Sequence, residues 1–288
     1  MVAHLMNIQD QLGKVVNEYY SDQKKGNTDI LIALFKKMVV VRNEFAREKG
    51  FRNYFEMQIY GQNIPATKWK EYLENRDLFA KKYSPKINKV SEYPHFLSKI
   101  EKINLTFPDD VFLLFKDIIP DLADIKKRVE LLIEGKQASF KYDVQADRYK
   151  IVIPNTNHNQ KIAMLIHELS HVYDQERKDH KIKGVYESEN GAHQVEFEVA
   201  GSISKEFLIA DVREYLSCLA RTEFEESIYS KNDQNYPELY ASIINKYFGE
   251  VVGGKSYLFL NDDKVIQKPL SDLSVAVVLV NLLPELGE

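Results

Sequence analysis

The chain has 288 residues, enough for one large domain or two modest ones with a sizeable hydrophobic core. Hydrophobic residues make up 44% and charged residues 28%, and the 17 Tyr and 15 Phe exclude intrinsic disorder. The formal net charge of −4 gives no overall basic field, so we predict neither a nucleic-acid partner nor an anionic membrane partner.

The cysteine content and the hydropathy pattern favour a soluble, cytoplasmic protein. The single cysteine, Cys218, cannot form an internal disulfide, which is typical of a reducing compartment. The N-terminal residues lack a basic segment followed by an apolar run, so no signal peptide is expected. The longest mostly apolar stretch, residues 275–283, is about half as long as a bilayer crossing requires. The sequence leaves the oligomeric state open.

Most of the chain has the periodicity of amphipathic helices. In the first clear case, apolar residues from Leu31 to Phe45 recur at spacings of three and four. Asn27 or Thr28 is a suitable N-cap for this helix, and Gly50 is a natural stop. Further helices are predicted after Thr67, over 108–119, over 121–132, and from about residue 160 onward.

One segment, residues 139–154, departs from this helical pattern. Phe140, Tyr142 and Val144 alternate with polar residues, and residues 145–148 have the composition of a turn. Alternation then resumes through Ile153, which predicts a β-hairpin.

We therefore predict a mainly α fold with a small β-hairpin or sheet. No repeat, low-complexity tract or flexible linker divides the chain. The expectation is a single catalytic domain over residues 1–288, with two lobes, 1–105 and 106–288, as a variant of it.

Residues 163–174 (AMLIHELSHVYD) carry the strongest chemical signal. His167 and His171 are four residues apart, so on a helix both imidazoles lie on one face. At that separation they can reach a single Zn²⁺ at about 2.0–2.1 Å each. Glu168 projects beside this face, where a carboxylate can accept a proton from a water molecule. The apolar residues 162–166 favour a buried helix over the alternative of a surface helix with two solvated histidines. We predict one zinc ion per chain.

A catalytic zinc site needs a third protein ligand. Position 177 is Arg177, which excludes a third histidine six residues after His171. A glutamate from a following helix is the other common solution, and we select Glu198 because the small residues 200–202 after it allow close helix packing. The rival ligands are Glu189, Glu196 and His193. Asp174 and Glu206 are candidates for accepting a hydrogen bond from a ligand histidine, although each is more often a solvated helix charge.

The motif at 166–171 (IHELSH), followed by Glu198 and residues 199–202 (VAGS), resembles the oligoendopeptidase F and thimet oligopeptidase family. Residues 42–57 and 219–229 are similar to two further helical segments of that family. The resemblance implies a helical zincin-type metallopeptidase fold in which His167, His171 and Glu198 hold the zinc and Glu168 is the general base. It also implies that the hairpin lies beside the active-site cleft and aligns the substrate.

Two features depart from the family pattern. Ser170 stands where the family usually has glycine, and residues 255–275 lack the histidine- and tyrosine-rich segment that binds substrate in the family. Tyr247 and Tyr257 are possible replacements, although each is more simply read as an ordinary aromatic residue. The chain is also about half the length usual in the family.

The sequence therefore predicts a zinc-dependent, oligopeptidase-like metallopeptidase that acts on peptide substrates. The alternative is a zinc-binding but catalytically inactive helical relative that serves as a binding module. Whether the enzyme is an endopeptidase or an exopeptidase, and which residues it cleaves between, is left open.

Overall fold

The structure is a computed structural model that describes residues 2–84, 96–119, 121–178, 181, 184–231, 235–249 and 255–282. It confirms the mainly α fold class with one small sheet. The helices and strands are α1 (Val2–Gln23), α2 (Thr28–Glu48), α3 (Tyr54–Gly61), α4 (Ala66–Tyr83), α5 (Asp109–Leu113), α6 (Leu122–Arg128), β1 (Val129–Ile133), β2 (Ser139–Asp143), β3 (Arg148–Ile153), α7 (His158–Arg177), α8 (Val185–Ile203), α9 (Lys205–Glu214), α10 (Leu216–Ser230), α11 (Tyr236–Phe248), a 3₁₀ helix (Lys255–Asn261), α12 (Asp263–Ile266) and α13 (Leu273–Asn281). Each helix within the described residues is too short or too polar to cross a lipid bilayer.

The chain divides into two compact units that are interleaved in sequence. The first unit comprises Met1–Ser91 and Leu216–Val277, and the second comprises Glu92–Tyr215 and Val278–Glu288. The lobe boundary near residue 105 that the sequence suggested therefore falls inside the second unit.

In the first unit, α1 and α2 pack side by side, and α2 forms as its sequence predicts. The Asn27 side chain accepts a hydrogen bond from the Ile30 N–H and so caps the helix. The apolar stripe of α2, which includes Phe35 and Met38, is fully buried. Local propensity and tertiary packing agree here, which is why the helix bounds could be read from the sequence.

The second unit contains a three-stranded sheet with the order β1–β3–β2. The predicted hairpin is confirmed, since β2 pairs antiparallel with β3 and Phe140 lies opposite Ile151. The helix predicted over 121–132 is corrected, because it ends at Arg128 and the chain continues as β1. The residues of β1 form a parallel ladder with β3, from Val129 opposite Tyr149 onward. These long-range pairs replace helical hydrogen bonds that a local pattern alone would favour.

The predicted helix over 108–119 is also shorter than expected, since α5 spans only Asp109–Leu113 and is followed by turns. A mixed sheet and short helices thus surround one long element of the second unit, α7. This helix contacts β3 on one side and packs along α8 on the other.

The close approach of α7 and α8 depends on a glycine. A Cβ atom added to Gly191 would lie 2.3 Å from the carboxyl group of Asp174. Asp174 is fully buried and forms ion pairs with Lys178 at 2.9 Å and Arg177 at 3.2 Å. Only a residue without a side chain fits against this fixed carboxylate. This contact allows α7 and α8 to pack closely at this point.

Candidate metal centre

His167 and His171 lie one turn apart on α7, as the sequence predicts. The helix starts at an Asn157 cap, whose side chain accepts a hydrogen bond from the Gln160 N–H at 3.0 Å. The Nε2 atoms of His167 and His171 are 3.2 Å apart, and their side chains are only 17% and 8% exposed. The two rings meet edge to face at 86°, with their centroids 4.8 Å apart.

The other ring nitrogen of each histidine, Nδ1, has a hydrogen-bond partner on α8. His167 Nδ1 lies 2.9 Å from Glu196 Oε2, and His171 Nδ1 lies 3.1 Å from Ser188 Oγ. When Nδ1 carries the proton and donates it to such a partner, Nε2 keeps its lone pair. Histidines that bind metals in proteins are almost always arranged in this way.

Glu189 of α8 faces the same position as the two Nε2 atoms. Its Oε2 atom is 3.8 Å from His167 Nε2, and its Oε1 atom is 3.8 Å from His171 Nε2. Two ligands that bind a tetrahedral Zn²⁺ at about 2.0–2.1 Å are separated by roughly 3.3 Å. The nitrogen pair already has this separation, and the carboxylate would need to move by about 0.5 Å. The residues therefore fit a zinc ion.

The structure does not bring Glu198 to this pair. The Glu198 side chain is exposed, whereas Glu189, His193 and Glu196 follow one another at helical spacings of four and three and face α7. Glu198 lies nine residues after Glu189 (198 − 189 = 9), which is half a turn around the helix at about 100° per residue. The prediction from the sequence selected the opposite face of α8. The small residues 200–202 indicate close packing of α8 on another helix, but they do not indicate which helix that is.

Glu196 is the centre of a second cluster, in which Glu196 and His193 are fully buried. Its Oε2 atom lies 2.9 Å from His167 Nδ1 and 2.5 Å from His193 Nδ1, and its Oε1 atom accepts a hydrogen bond from the Tyr215 hydroxyl at 2.8 Å. Both oxygen–nitrogen distances are those of direct hydrogen bonds, and both are shorter than the distance between two ligand atoms bound to one zinc ion. His167, His193 and Glu196 therefore form a hydrogen-bonded support rather than a second metal site.

The charges of this cluster stabilise one another. Burial acts to raise the pKa of Glu196, but the imidazoles of His167 and His193 outweigh it and hold that pKa far below its ordinary value. Burial acts to lower the pKa of His167, but the Glu196 carboxylate raises it to about 10, so in the metal-free protein a metal ion must displace a second proton from Nε2. Glu196 is thus an anion whose partner is His167.

Glu168 is buried on α7 beside the first histidine, with 5% of its surface exposed. Burial raises the pKa of Glu168 to about 7, although the charge of His167 opposes this. The carboxylates of Glu189 and Glu196 act in the same direction as burial. A carboxyl group with this pKa both accepts and releases a proton near neutral pH.

Strand β2 lies beside the second histidine. The ring of Phe140 stacks on His171 with a centroid distance of 5.6 Å and an interplanar angle of 21°. Asp174, considered from the sequence as a partner of a ligand histidine, instead pairs with Arg177 and Lys178, and Glu206 is exposed on α9. Glu196 and Ser188 take the role that those two residues were considered for.

Three residues that contact the site could not be predicted from the sequence pattern. Ser188, Tyr215 and Phe140 reach the histidines from α8, from the end of α9 and from β2. No spacing rule predicts that single polar or aromatic residues so far apart in the sequence will be in contact. The spacing of Glu189, His193 and Glu196 is a signal that could have identified the facing side of α8.

The chain resembles solved structures in fold. No model of a known protein family matches it, and no curated protein matches it in sequence. A structure provisionally assigned as oligoendopeptidase F has 14% sequence identity and a TM-score of 0.57, and the match covers 90% of this chain. A PZ peptidase A with an inhibitor has 14% identity and a TM-score of 0.58, with 93% of this chain covered. The chain spans only 55% and 59% of the lengths of these two proteins, respectively. The fold of this chain is therefore similar to that of two larger proteins that are described as peptidases.

Proposed function

We propose that this protein is a zinc-dependent peptidase whose metal ligands are His167, His171 and Glu189. The observation that carries the proposal is the 3.2 Å pair of Nε2 atoms, with each Nδ1 atom already bonded and a carboxylate facing both rings. The similarity in fold to two structures described as peptidases supports the same reaction class. Glu189 replaces Glu198 in this proposal because Glu198 is exposed on the other side of α8.

Three nitrogen or oxygen ligands with one open position are typical of a catalytic zinc site, whereas structural sites close all four positions. Zinc, when bound, supplies a Lewis acid for the scissile carbonyl and lowers the pKa of a water molecule toward about 7. The protein supplies the orientation of both imidazoles and a largely water-excluded environment.

Glu168 is the proton carrier in this proposal. Its buried carboxylate accepts a proton from the attacking water and passes it to the nitrogen of the leaving amine. Positioned acid–base groups of this kind contribute roughly 10²–10⁴-fold to the rate. The position of Glu168 next to His167 in the sequence ensures that it lies on the same turn of α7.

Strand β2 is suited to hold an extended peptide. Within the described residues β2 pairs only with β3, so its other edge has backbone groups that are not used in the sheet. Strand addition at such an edge fixes a peptide through main-chain hydrogen bonds and tolerates many side chains. The contact of one face of β2 with His171, through the ring of Phe140, supports this part of the proposal.

A zinc-binding but inactive relative is the second candidate. Tyr247, one possible replacement for the family's substrate-binding tyrosines, is fully buried and donates a hydrogen bond to Glu223. Tyr257 is the other possible replacement, and its side chain lies outside the part of the chain that the structure describes. A protein of this kind would bind zinc and hydrolyse no peptide.

The test is hydrolysis of an internally quenched peptide library by the zinc-loaded wild type and by Glu168→Gln, with bound zinc measured in both. We expect the variant to keep its zinc and to lose about 10²–10⁴-fold in kcat/KM. Glu198→Gln is the matched control, since it makes the same change at an exposed position of the same unit.

Retained hydrolysis by Glu168→Gln would remove the proposed proton carrier. Zinc binding without hydrolysis by the wild type would favour the inactive binding module.

A further inference from the structure

The carboxylate of Glu196 uses both oxygens in hydrogen bonds. Oε2 accepts from the Nδ1 atoms of His167 and His193, and Oε1 accepts from the hydroxyl of Tyr215. Glu196 is fully buried, so each of these bonds replaces water that the carboxylate would otherwise bind. The hydroxyl of Tyr215 is one of the contacts that orient this carboxylate, and the side chain of Asp211 also hydrogen-bonds to it.

We propose that Tyr215 is a positioning residue for the metal centre and acts through Glu196 on His167. The inference rests on the proposed function, because it assumes that His167 Nε2 binds zinc. In this arrangement Tyr215 holds the plane of the Glu196 carboxylate, and Glu196 in turn holds the proton of His167 on Nδ1.

The consequence for His167 follows from the chemistry of imidazole. A neutral imidazole carries one proton, and only the nitrogen without it can bind a metal. When the ring is neutral, the hydrogen bond of Nδ1 to Glu196 leaves the lone pair on Nε2, which lies 3.2 Å from His171 Nε2. If the carboxylate turned away from Nδ1, the proton could move to Nε2 and block the metal position.

The ring of Tyr215 is held by contacts that do not involve its hydroxyl. It meets His193 edge to face at a centroid distance of 4.9 Å and meets Phe197 at 6.4 Å. Asp211, one turn earlier on α9, is also buried and interacts with Glu196. Removing the hydroxyl of Tyr215 should therefore remove its hydrogen bond to Glu196 and leave these ring contacts in place.

The experiment uses Tyr215→Phe in the full chain. The zinc dissociation constant is measured by competition with a chromophoric chelator, and the visible spectrum of the Co²⁺-substituted protein reports the coordination geometry. Loss of a partner directly bonded to a ligand weakens metal binding about 10–100-fold. Tyr215 acts one bond further away, so we expect zinc binding to weaken by about 3–10-fold, with altered Co²⁺ bands.

Tyr142→Phe is the matched control. The Tyr142 hydroxyl also donates to a carboxylate, that of Asp147, at 2.8 Å in the same unit. This variant should keep the zinc affinity and the Co²⁺ spectrum of the wild type.

A double variant tests the route through Glu196. If Tyr215 acts through this carboxylate, Tyr215→Phe should have no further effect on zinc affinity in a Glu196→Gln background. Equal effects in both backgrounds would overturn the inference, as would wild-type zinc affinity in Tyr215→Phe.

The metal-free proteins are compared by thermal unfolding. A loss of zinc affinity matched by an equal loss of stability in metal-free Tyr215→Phe would assign Tyr215 to packing alone and overturn the inference. Absence of zinc binding by the wild type would overturn the proposed function together with this inference, whereas unchanged binding by the variant would overturn the inference only.

Discussion

Replacing Glu189 by Gln is expected to weaken zinc binding severely, whereas the same replacement of Glu198 should have little effect. Glu189 lies 3.8 Å from both Nε2 atoms, while the Glu198 side chain is exposed on the opposite face of α8. The free energy of binding of structural zinc to small peptides is about 10–16 kcal/mol. Divided over four ligands, this is about 2.5–4 kcal/mol for each ligand. At about 1.4 kcal/mol for each tenfold change, loss of one ligand corresponds to a weakening of roughly 10²–10³-fold.

The assay is competition for zinc between the protein and a chromophoric chelator at fixed pH. We expect Glu189→Gln to show the weakening above and Glu198→Gln to bind within about twofold of the wild type, because an exposed side chain away from the histidines makes no metal contact. Thermal unfolding of the metal-free variants shows whether either change disturbs the fold. The reasoning would be refuted by normal zinc affinity in Glu189→Gln, or by a large loss in Glu198→Gln.

Two further predictions concern the stability of the second unit. Gly191→Ala should destabilise the protein by about 2–4 kcal/mol in chemical denaturation, since the new Cβ would lie 2.3 Å from the buried Asp174 carboxyl. Gly201→Ala on the same helix, where the Cβ meets Leu208 at 3.6 Å, should be neutral or stabilising, and a similar loss in both variants would contradict this account. Burial raises the pKa of Glu214 from 4.5 to about 7, so the stability this group contributes is present below about pH 4.5 and is lost as the pH rises through 7. Glu214→Gln should therefore be more stable than the wild type by about 1–3 kcal/mol at pH 8 and equal to it near pH 4.5, and a pH-independent difference in the free energy of unfolding would refute this assignment.

Elements with strong local signals could be predicted from the sequence. The Asn27 cap and the apolar stripe of α2 determine that helix, and alternation determines the pairing of β2 with β3. In α7, the spacing of His167 and His171 places both imidazoles on one face of whatever helix they occupy, and the structure brings their Nε2 atoms to 3.2 Å. Each of these features depends on residues close together in the chain, so the order of residues is sufficient to predict it.

Elements that depend on distant partners could not be predicted in this way. Residues 129–133 have apolar spacing compatible with a helix, but they form β1 because β3 offers a parallel partner. The supporting contacts of Ser188 and Tyr215 join residues that are 17 and 19 positions from their partners, and no spacing rule links such pairs.

The orientation of α8 is the clearest example of a feature that the sequence determines only in part. The sequence by itself determined that α8 carries glutamates on two faces, with Glu189 and Glu196 on one side and Glu198 on the other. The tertiary structure decided which side faces the histidines of α7. The physical reason is that Ser188, Glu189 and Glu196 on this side supply the polar atoms that face the two histidines, and these contacts join residues on different helices that no local spacing rule links.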